Sequence, residues 1–408
     1  MDSRLEYLLN WAKTDLDDNL MKWWVEHTVD EVNGGFYGVV GADNVPDETA
    51  DKFIVLNARL VWTFSACWKV SKKPEYKELA ERAYKYFTTY FYDKKNGGFY
   101  ASVDSKGNPI ERYKFTYGNV FAIYGLSEYA DAFGCDEAKA LALETVGKLD
   151  AHVWDIELKG YYEAASEDWG SAHVLTRIQR DERNQKTMNT HLHAIEAYAN
   201  LLRIHESKEL RARVRELLYI FLNKIINREN WHFNYFQTRD WIPTTPDLSF
   251  GHDIEGSWLL YECAEILDEK EALADTLSAS VNMARAVYDR GVNDSGGIYT
   301  EYHAREKLFS TRFSWWEQNE GVVGFLNAYQ LSGEDKFLDA SVKALEFIDK
   351  YFIDREFGGW HMAIDQEYKL IANTAKCTGY NCPYHNARMS IEIIRRLEGF
   401  VSPTPKGQ

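Results

Sequence analysis

The sequence predicts an all-α protein, an (α/α)6 barrel of six helical hairpins with short β-hairpin loops, and three observations carry that prediction. A Gly-Gly signature recurs at a nearly constant interval, the stretches between its copies carry apolar residues at three- and four-residue steps, and neither end shows a polar capping repeat. The last glycines of the clear copies fall at 35, 98, 160, 297 and 359, giving steps of 63, 62, 137 and 62 residues, the long one spanning a degenerate copy. A repeat of that length is a supersecondary unit that cannot bury its apolar face alone. An open solenoid needs atypical polar ends, whereas a closed ring of six inner and six outer helices covers every stripe without them.

The elements follow in order. A helix over 3–25 precedes the turn Asp30-Glu31-Val32-Asn33-Gly34-Gly35-Phe36-Tyr37, and helices over 52–72 and 75–92 lead to Asp93-Lys94-Lys95-Asn96-Gly97-Gly98-Phe99-Tyr100. Windows 115–133 and 136–153 lead to the Asp155–Tyr162 copy, and 187–206 and 208–226 to the degenerate Asn227–Phe233 copy. Windows 252–268 and 270–290 reach Asp294-Ser295-Gly296-Gly297-Ile298-Tyr299, 313–332 and 335–352 reach the Asp354–His361 copy, and 380–398 closes the series. Glycine accepts positive φ and aromatics suit a pleated surface, so each copy reads as a turn into a short strand or hairpin. The even-numbered helices are expected inside, because Leu56-Asn57-Ala58-Arg59-Leu60-Val61-Trp62 and Phe121-Ala122-Ile123-Tyr124-Gly125-Leu126 are apolar on most faces.

Composition bounds the function. No Pro-, Gly- or Ser-rich linker interrupts the repeat, so residues 1–408 read as one barrel domain. A formal net charge of −16 argues against nucleic acid or an anionic membrane as partner and favours a neutral small molecule. Five cysteines (Cys67, Cys135, Cys263, Cys377, Cys382) lie mostly in helical windows without metal-finger spacing, and read as reduced thiols of a cytoplasmic protein. The N-terminus lacks an apolar signal core, and no apolar run of spanning length occurs. Monomer and homodimer both remain open.

Aromatic residues make up 15% of the chain, with 13 Trp and 26 Tyr. Most fill helix interfaces, yet Trp and Tyr beside polar groups at helix mouths also suit a sugar ring. The polar residues that do not belong in a core cluster at the starts of the inner helices. Arg59 lies in an apolar helix and should meet a carboxylate or a ligand. Asn189 and His193 share a face of the third inner helix, while His191 and His193 point about 200° apart, so only one of the two histidines faces the cavity. That geometry also speaks against a metal held by His-x-His. His252 and Glu255, three residues apart, share a face of the fourth inner helix. Trp315, Trp316, Glu317 and Glu320 open the fifth, and Cys382-Pro383-Tyr384-His385-Asn386 opens the last, with Pro383 suited to its first turn.

The segments Asn57-Ala58-Arg59, Met188-Asn189-Thr190-His191-Leu192-His193, Ser249-Phe250-Gly251-His252-Asp253-Ile254-Glu255, Trp315-Trp316 and Cys382-Pro383-Tyr384-His385-Asn386 resemble those of the N-acylglucosamine 2-epimerase superfamily, most closely its cellobiose 2-epimerase branch. The resemblance spans about residues 15 to 398. It implies an (α/α)6 barrel and metal-free, nucleotide-free epimerisation or isomerisation of a reducing sugar, with no cofactor. By position it implies active-site roles for Arg59, Asn189, His193, His252, Glu255 and His385, and it matches Asp181 to an acidic position in the loop before Asn189. Around the sugar it sets Trp315, Trp316, Tyr117, Asn119 and Tyr380.

The chemistry is consistent on its own terms. Inverting C2 of an aldose requires removing the proton beside the aldehyde and returning it to the opposite face, and histidine suits both transfers near neutral pH. His252 and His385 are therefore expected as the acid/base pair, with Glu255 orienting His252, and Arg59 with His193 holding O1 of the enediolate. Three departures bear on substrate. Tyr380 stands where disaccharide-active relatives carry Trp, Asn119 where Gln is more usual, and Asn319 where Ala is customary; together they favour the D-glucose/D-mannose pair over cellobiose. An aldose–ketose isomerase would use the same enediolate. A glycoside hydrolase would need two carboxylates flanking a bond, for which Asp181, Glu255 and Glu320 are available. A non-catalytic carbohydrate-binding protein would need no paired bases.

Overall fold

The computed structural model describes residues 2–172, 176, 179 and 181–398. Among the described residues twelve helices follow one another at the expected places. The first, α1, runs over Ser3–Asp15, a π-helical turn Leu16–Leu20 and Met21–His27. It is followed by α2 (Ile54–Ser71), α3 (Pro74–Tyr86, extended by a π-turn over Phe87–Phe91), α4 (Thr116–Phe133) and α5 (Asp136–His152). Next come α6 (Met188–Ile204), α7 (Lys208–Ile220, with a π-turn over Phe221–Ile225), α8 (Phe250–Leu267) and α9 (Lys270–Arg290). The last three are α10 (Trp315–Ser332), α11 (Asp335–Tyr351) and α12 (Tyr384–Glu398). The final helix starts at Tyr384, not at 380, because Pro383 cannot donate and instead supplies the carbonyl that accepts from Ala387 N–H at 2.9 Å.

The even-numbered helices form the inner ring. Each packs on the next, and α12 packs back on α2, so the ring closes. The near-complete burial of α2 and α4 follows from their apolar faces being covered on all sides. Each inner helix also packs on the outer helix that follows it, and α12 finds its partner in α1. The hairpins are thus inner-to-outer, with the first and last helices of the chain making the sixth pair. Lys13 pairs with Glu398 across that seam, and Trp11 Nε1 ties α1 to α11 by donating to Asp349 at 2.8 Å. No helix among the described residues is long and apolar enough to cross a membrane.

All six turn copies lie between an outer helix and the next inner helix, at the N-terminal ends of the inner ring. In four of the five clear copies the aspartate caps the turn, as Asp93 Oδ1 does in accepting from Lys95 and Asn96 N–H at 3.0 and 3.1 Å; in the Gly297 copy Asn293 takes that part. Gly98 has φ of 70°, and a Cβ there would sit 2.5 Å from the Trp169 ring, so both conformation and space require glycine. A lysine two residues before the inner helix reaches back to the aspartate in three copies, Lys52–Asp30 at 2.8 Å, Lys114–Asp93 at 2.7 Å and Lys186–Asp155 at 3.2 Å, and Lys376, farther ahead of α12, reaches Asp354 at 2.7 Å, all almost wholly dehydrated.

The strands differ from expectation in their partners. Besides closing each turn, short strands pair between neighbouring repeats: Lys52 with Val103, Lys114 with Ala165, Lys186 with Gln237, Ser249 with Glu301 and Ser314 with Ala363. A bridge between Val40 and Cys377 joins the first repeat to the last. The result is a belt of two- and three-residue strands around the mouth of the barrel, each too short to be stable without the helices beneath it.

Candidate active site

The first two turns of the inner helices converge under this belt. Their side chains are fixed in two layers. The outer layer holds backbone: Asn119 Oδ1 accepts from Phe99 N–H at 2.8 Å and its amide donates to the carbonyls of Phe115 and Phe99. Gln318 does the same with Ile298 and Ser314, and Asp253 accepts from Phe233 N–H at 2.7 Å. His191 belongs to this set. Its Nδ1 lies 2.7 Å from the Thr187 carbonyl, and Nε2 accepts from Tyr161 N–H at 2.8 Å, which fixes the tautomer; burial pushes its pKa down to about 4. Asn119 is thus a clamp on the turn, not the sugar contact expected of it. Between the two histidines of the His-x-His segment, His193 is the one that joins the cluster.

The inner layer is an ion network around Arg388, a second-turn residue of α12 that is 2% exposed. Its Nη1 donates to Glu196 and Tyr384, and its Nη2 to Glu255 and, at 2.7 Å, to Glu320. Two of these carboxylates hold imidazoles. Glu320 Oε1 is 2.7 Å from His385 Nδ1, and Glu196 Oε2 is 2.8 Å from His193 Nδ1. His385 lies well below the ordinary histidine range, first through burial and then through the charges of Arg59 and Arg388, which disfavour its cation. Burial and the Glu320 charge raise Glu255 to about 7, against the pull of Arg388.

His252 sits on the first turn of α8, with Nδ1 2.7 Å from Ser249 Oγ. The hydroxyl of Ser249 therefore takes the place at Nδ1 that was expected of Glu255, whose carboxylate turns to Arg388 instead. Both catalytic candidates pack on one indole: the Trp316 ring centre is 4.7 Å from that of His252 and 5.4 Å from that of His385. Trp315 packs edge-on to His385. Arg59 faces the same space from α2. It is 3% exposed, lies over the rings of Phe121 and Tyr384 at 4.2 and 4.6 Å, and donates to Tyr117 Oη at 3.0 Å and Cys382 Sγ at 3.6 Å. Among the described residues no carboxylate pairs with it, and its Nε has no acceptor. Asn189 Oδ1 and Trp315 Nε1 are also buried without a partner. A site lined by a buried cation and several unmet hydrogen-bonding atoms is built for a polar ligand.

Two expected residues stand apart. Tyr380 is 38% exposed on the loop before α12, its ring 5.3 Å from Phe53 at the rim. Asp181 is held by its own neighbour Arg183 through side chain and backbone and does not join the cluster. Asn319 is wholly buried on α10, with both amide atoms unpartnered.

Carboxylate oxygens of Glu255 and Glu320 and a ring nitrogen of His385 come within 4.8 Å of one another, a set that could hold a cation. Arg388 already bridges the two glutamates, and Glu320 also holds His385, so the guanidinium supplies positive charge there, while Oε2 of Glu255 is buried without a partner among the described residues. The same bridging speaks against a hydrolase, whose two carboxylates must stand apart on either side of a bond. Sequence reasoning missed Arg388, Glu196 and Tyr384. The signal was present, since Tyr384 and Arg388 are four apart and His193 and Glu196 three apart on their helices.

Known proteins match this chain over most of its length. The sequence model of the N-acylglucosamine 2-epimerase family matches residues 35–387. A cellobiose 2-epimerase of Bacteroides fragilis is 35% identical over 389 residues, covering 95% of this chain and 99% of its own. That of Dictyoglomus turgidum is 35% identical over 383 residues, covering 94% and 97%. The solved cellobiose 2-epimerase of Bacillus thermoamylovorans superposes with a TM-score of 0.91 at 29% identity, over 96% of this chain and all of the other. With the family model matched over residues 35–387 and relatives 35% identical along nearly their whole length, the chain belongs to the N-acylglucosamine 2-epimerase family of carbohydrate epimerases.

Proposed function

We propose that this protein inverts C2 of gluco- and manno-configured reducing sugars, with D-glucose/D-mannose the favoured pair and cellobiose-type β-1,4-disaccharides a close second. The observation that carries the reading is the pair of imidazoles on one indole, His252 and His385, each with Nδ1 engaged by a fixed partner. With Nδ1 engaged, Nε2 is the nitrogen that exchanges protons with C2. One histidine removes the C2 proton, leaving an enediolate, and the other returns a proton to the opposite face. His385, neutral at working pH, is suited to begin as base.

Arg59 is the cation for the developing negative charge on O1. A buried guanidinium with no carboxylate of its own keeps its full charge for the ligand, and preorganised donors of this kind contribute about 3 kcal/mol to such transition states. His193, fixed by Glu196, supports the same oxygen. Trp316 offers its face to the sugar ring, and Asn189 and Trp315 offer the unmet oxygen and N–H. Each proposed step uses only this chain's side chains.

Incubation with glucose, mannose, fructose and cellobiose in heavy water, followed by NMR of the products, tests the reading. Deuterium at C2 of the epimer is expected, and chelator-treated protein should retain the activity. Fructose as the sole product of mannose would assign an isomerase, and no deuterium in any sugar would leave a binding protein.

A further inference from the structure

Two of the five free cysteines flank the loop that leads into α12. Cys377 is tied into the mouth belt, where it exchanges both backbone hydrogen bonds with Val40, and its Sγ lies 3.7 Å from the Tyr37 carbonyl. Cys382 lies against Arg59, whose Nη1 donates to its Sγ at 3.6 Å. Both cysteines are buried, at 0% and 2% exposure.

The chain between them folds back on itself. Thr378 N–H donates to the Asn381 carbonyl at 3.0 Å, and Asn381 N–H donates to Thr378 Oγ1 at 3.0 Å. In an antiparallel ladder that backbone bond is one of the two that bracket the pair just outside it, here Cys377 and Cys382; the second would need an N–H at 383, which is a proline. A pair so placed, with no backbone bond of its own, brings its Cα atoms to about 4.5 Å with both side chains on one face. A disulfide accepts Cα separations of about 4.4–6.8 Å. The electrostatics agree: after burial, the nearness of the Cys382 sulfur is the largest influence holding the Cys377 thiol well above its ordinary pKa.

We propose that Cys377 and Cys382 form a reversible disulfide site, closed by hydrogen peroxide, that switches the Arg59 end of the catalytic pocket. The Cys382 thiolate attacks peroxide; an S–O bond forms, the O–O bond breaks, and hydroxide leaves and takes a proton as water. The Cys377 sulfur then attacks the sulfenic acid; the S–S bond forms, the S–O bond breaks, and the Cys377 proton leaves with the second water. Both thiols are thereby oxidised and peroxide is reduced to water. The new bond draws the Cys382 sulfur toward the belt and away from Arg59, and it locks the turn that carries Tyr380 at the rim. Peroxide reaches Cys382 beside the guanidinium assigned to O1, so its route in rests on the reading above.

Peroxide treatment of the full chain, followed by tryptic mass spectrometry, tests the site. Cleavage after Lys376 and Arg388 leaves both cysteines in one peptide, 377–388. That peptide should become two hydrogens lighter and resist alkylation. Epimerisation should fall about tenfold as Arg59 loses a hydrogen-bond partner, and dithiothreitol should restore both mass and activity. Cys377→Ser should keep the basal activity and form no such bond. An unchanged peptide, a Cys382 sulfinic acid with Cys377 still open to alkylation, or a closed disulfide with full turnover would each overturn the proposal. A reduced protein inert in the heavy-water assay would instead refute the proposed function, and the mass of the peptide would still decide the disulfide.

Discussion

Oε1 of Glu320 lies 2.7 Å from Nδ1 of His385, and the same oxygen accepts from Arg388 at 2.7 Å. One atom thus sets the imidazole's orientation, and the guanidinium on it works against the burial that raises the carboxyl's pKa. Glu196 links His193 to the same arginine through its two oxygens, Oε2 to the imidazole and Oε1 to the guanidinium, so a single arginine stands behind two histidines from different helices. The cluster has to be assembled as a unit, since removing Arg388 would strand three buried carboxylates.

His252→Ala and His385→Ala should each abolish epimerisation, because one face of C2 loses its proton carrier. General acid–base groups contribute about 10²–10⁴-fold. Steady-state assays, with circular dichroism to establish folding, check this; near-wild-type turnover in either variant would remove that histidine from the mechanism.

His385 should remain neutral below pH 6.5, the usual midpoint for histidine, because burial and two guanidinium groups disfavour its cation. Nitrogen-15 shifts of the labelled imidazole should report a proton on Nδ1 and a bare Nε2 across neutral pH. The sign for stability follows. The unfolded chain binds this proton more readily than the folded one, so acidification below about 6.5 draws the equilibrium toward unfolding. A titration midpoint above 6.5 contradicts the assignment.

Asp93→Asn should cost about 3–5 kcal/mol, since it leaves Lys114 buried without its counter-charge. Asp93 titrates well below the ordinary carboxylate range: the Lys114 and Asn96 hydrogen bonds outweigh the burial that would raise it. Its contribution is therefore complete above about pH 4 and lost as pH falls toward the folded value. Urea denaturation at pH 7 and pH 3 should show a smaller gap between wild type and variant at the lower pH. A gap independent of pH would place the effect elsewhere than in the ion pair.

Tyr380→Trp should raise the use of cellobiose relative to glucose several-fold in kcat/KM. The phenol stands exposed at the rim against Phe53, and a larger ring offers a second sugar more face, with aromatic contacts worth about 0.5–1.5 kcal/mol. An unchanged ratio would exclude Tyr380 from the choice of substrate length.

The barrel was legible because its information is periodic: repeated turns and apolar stripes specify six hairpins before any contact is known. The histidines and Arg59 were legible because a charge or imidazole in an otherwise apolar helix has few places to go. Arg388 was not, since a polar residue at a four-residue step from Tyr384 on the last helix has the same pattern as a solvated face. Asn119 misled for a related reason: the residue type suits a sugar, but the backbone of Phe99 and Phe115 reaches it first. The belt was illegible because two-residue strands have no period, and their partners, such as Lys114 and Ala165, belong to different repeats.

The pairing of α1 with α12 has a consequence for synthesis. A chain emerging from the ribosome can stack its first five hairpins in order, yet α1 has no inner partner until the last helix is made. That same helix carries His385, Arg388 and Tyr384. Ring closure and assembly of the proposed catalytic cluster are therefore one event, and a nascent chain stopped before α12 would have exposed apolar seams at both ends and no chemistry to show for them.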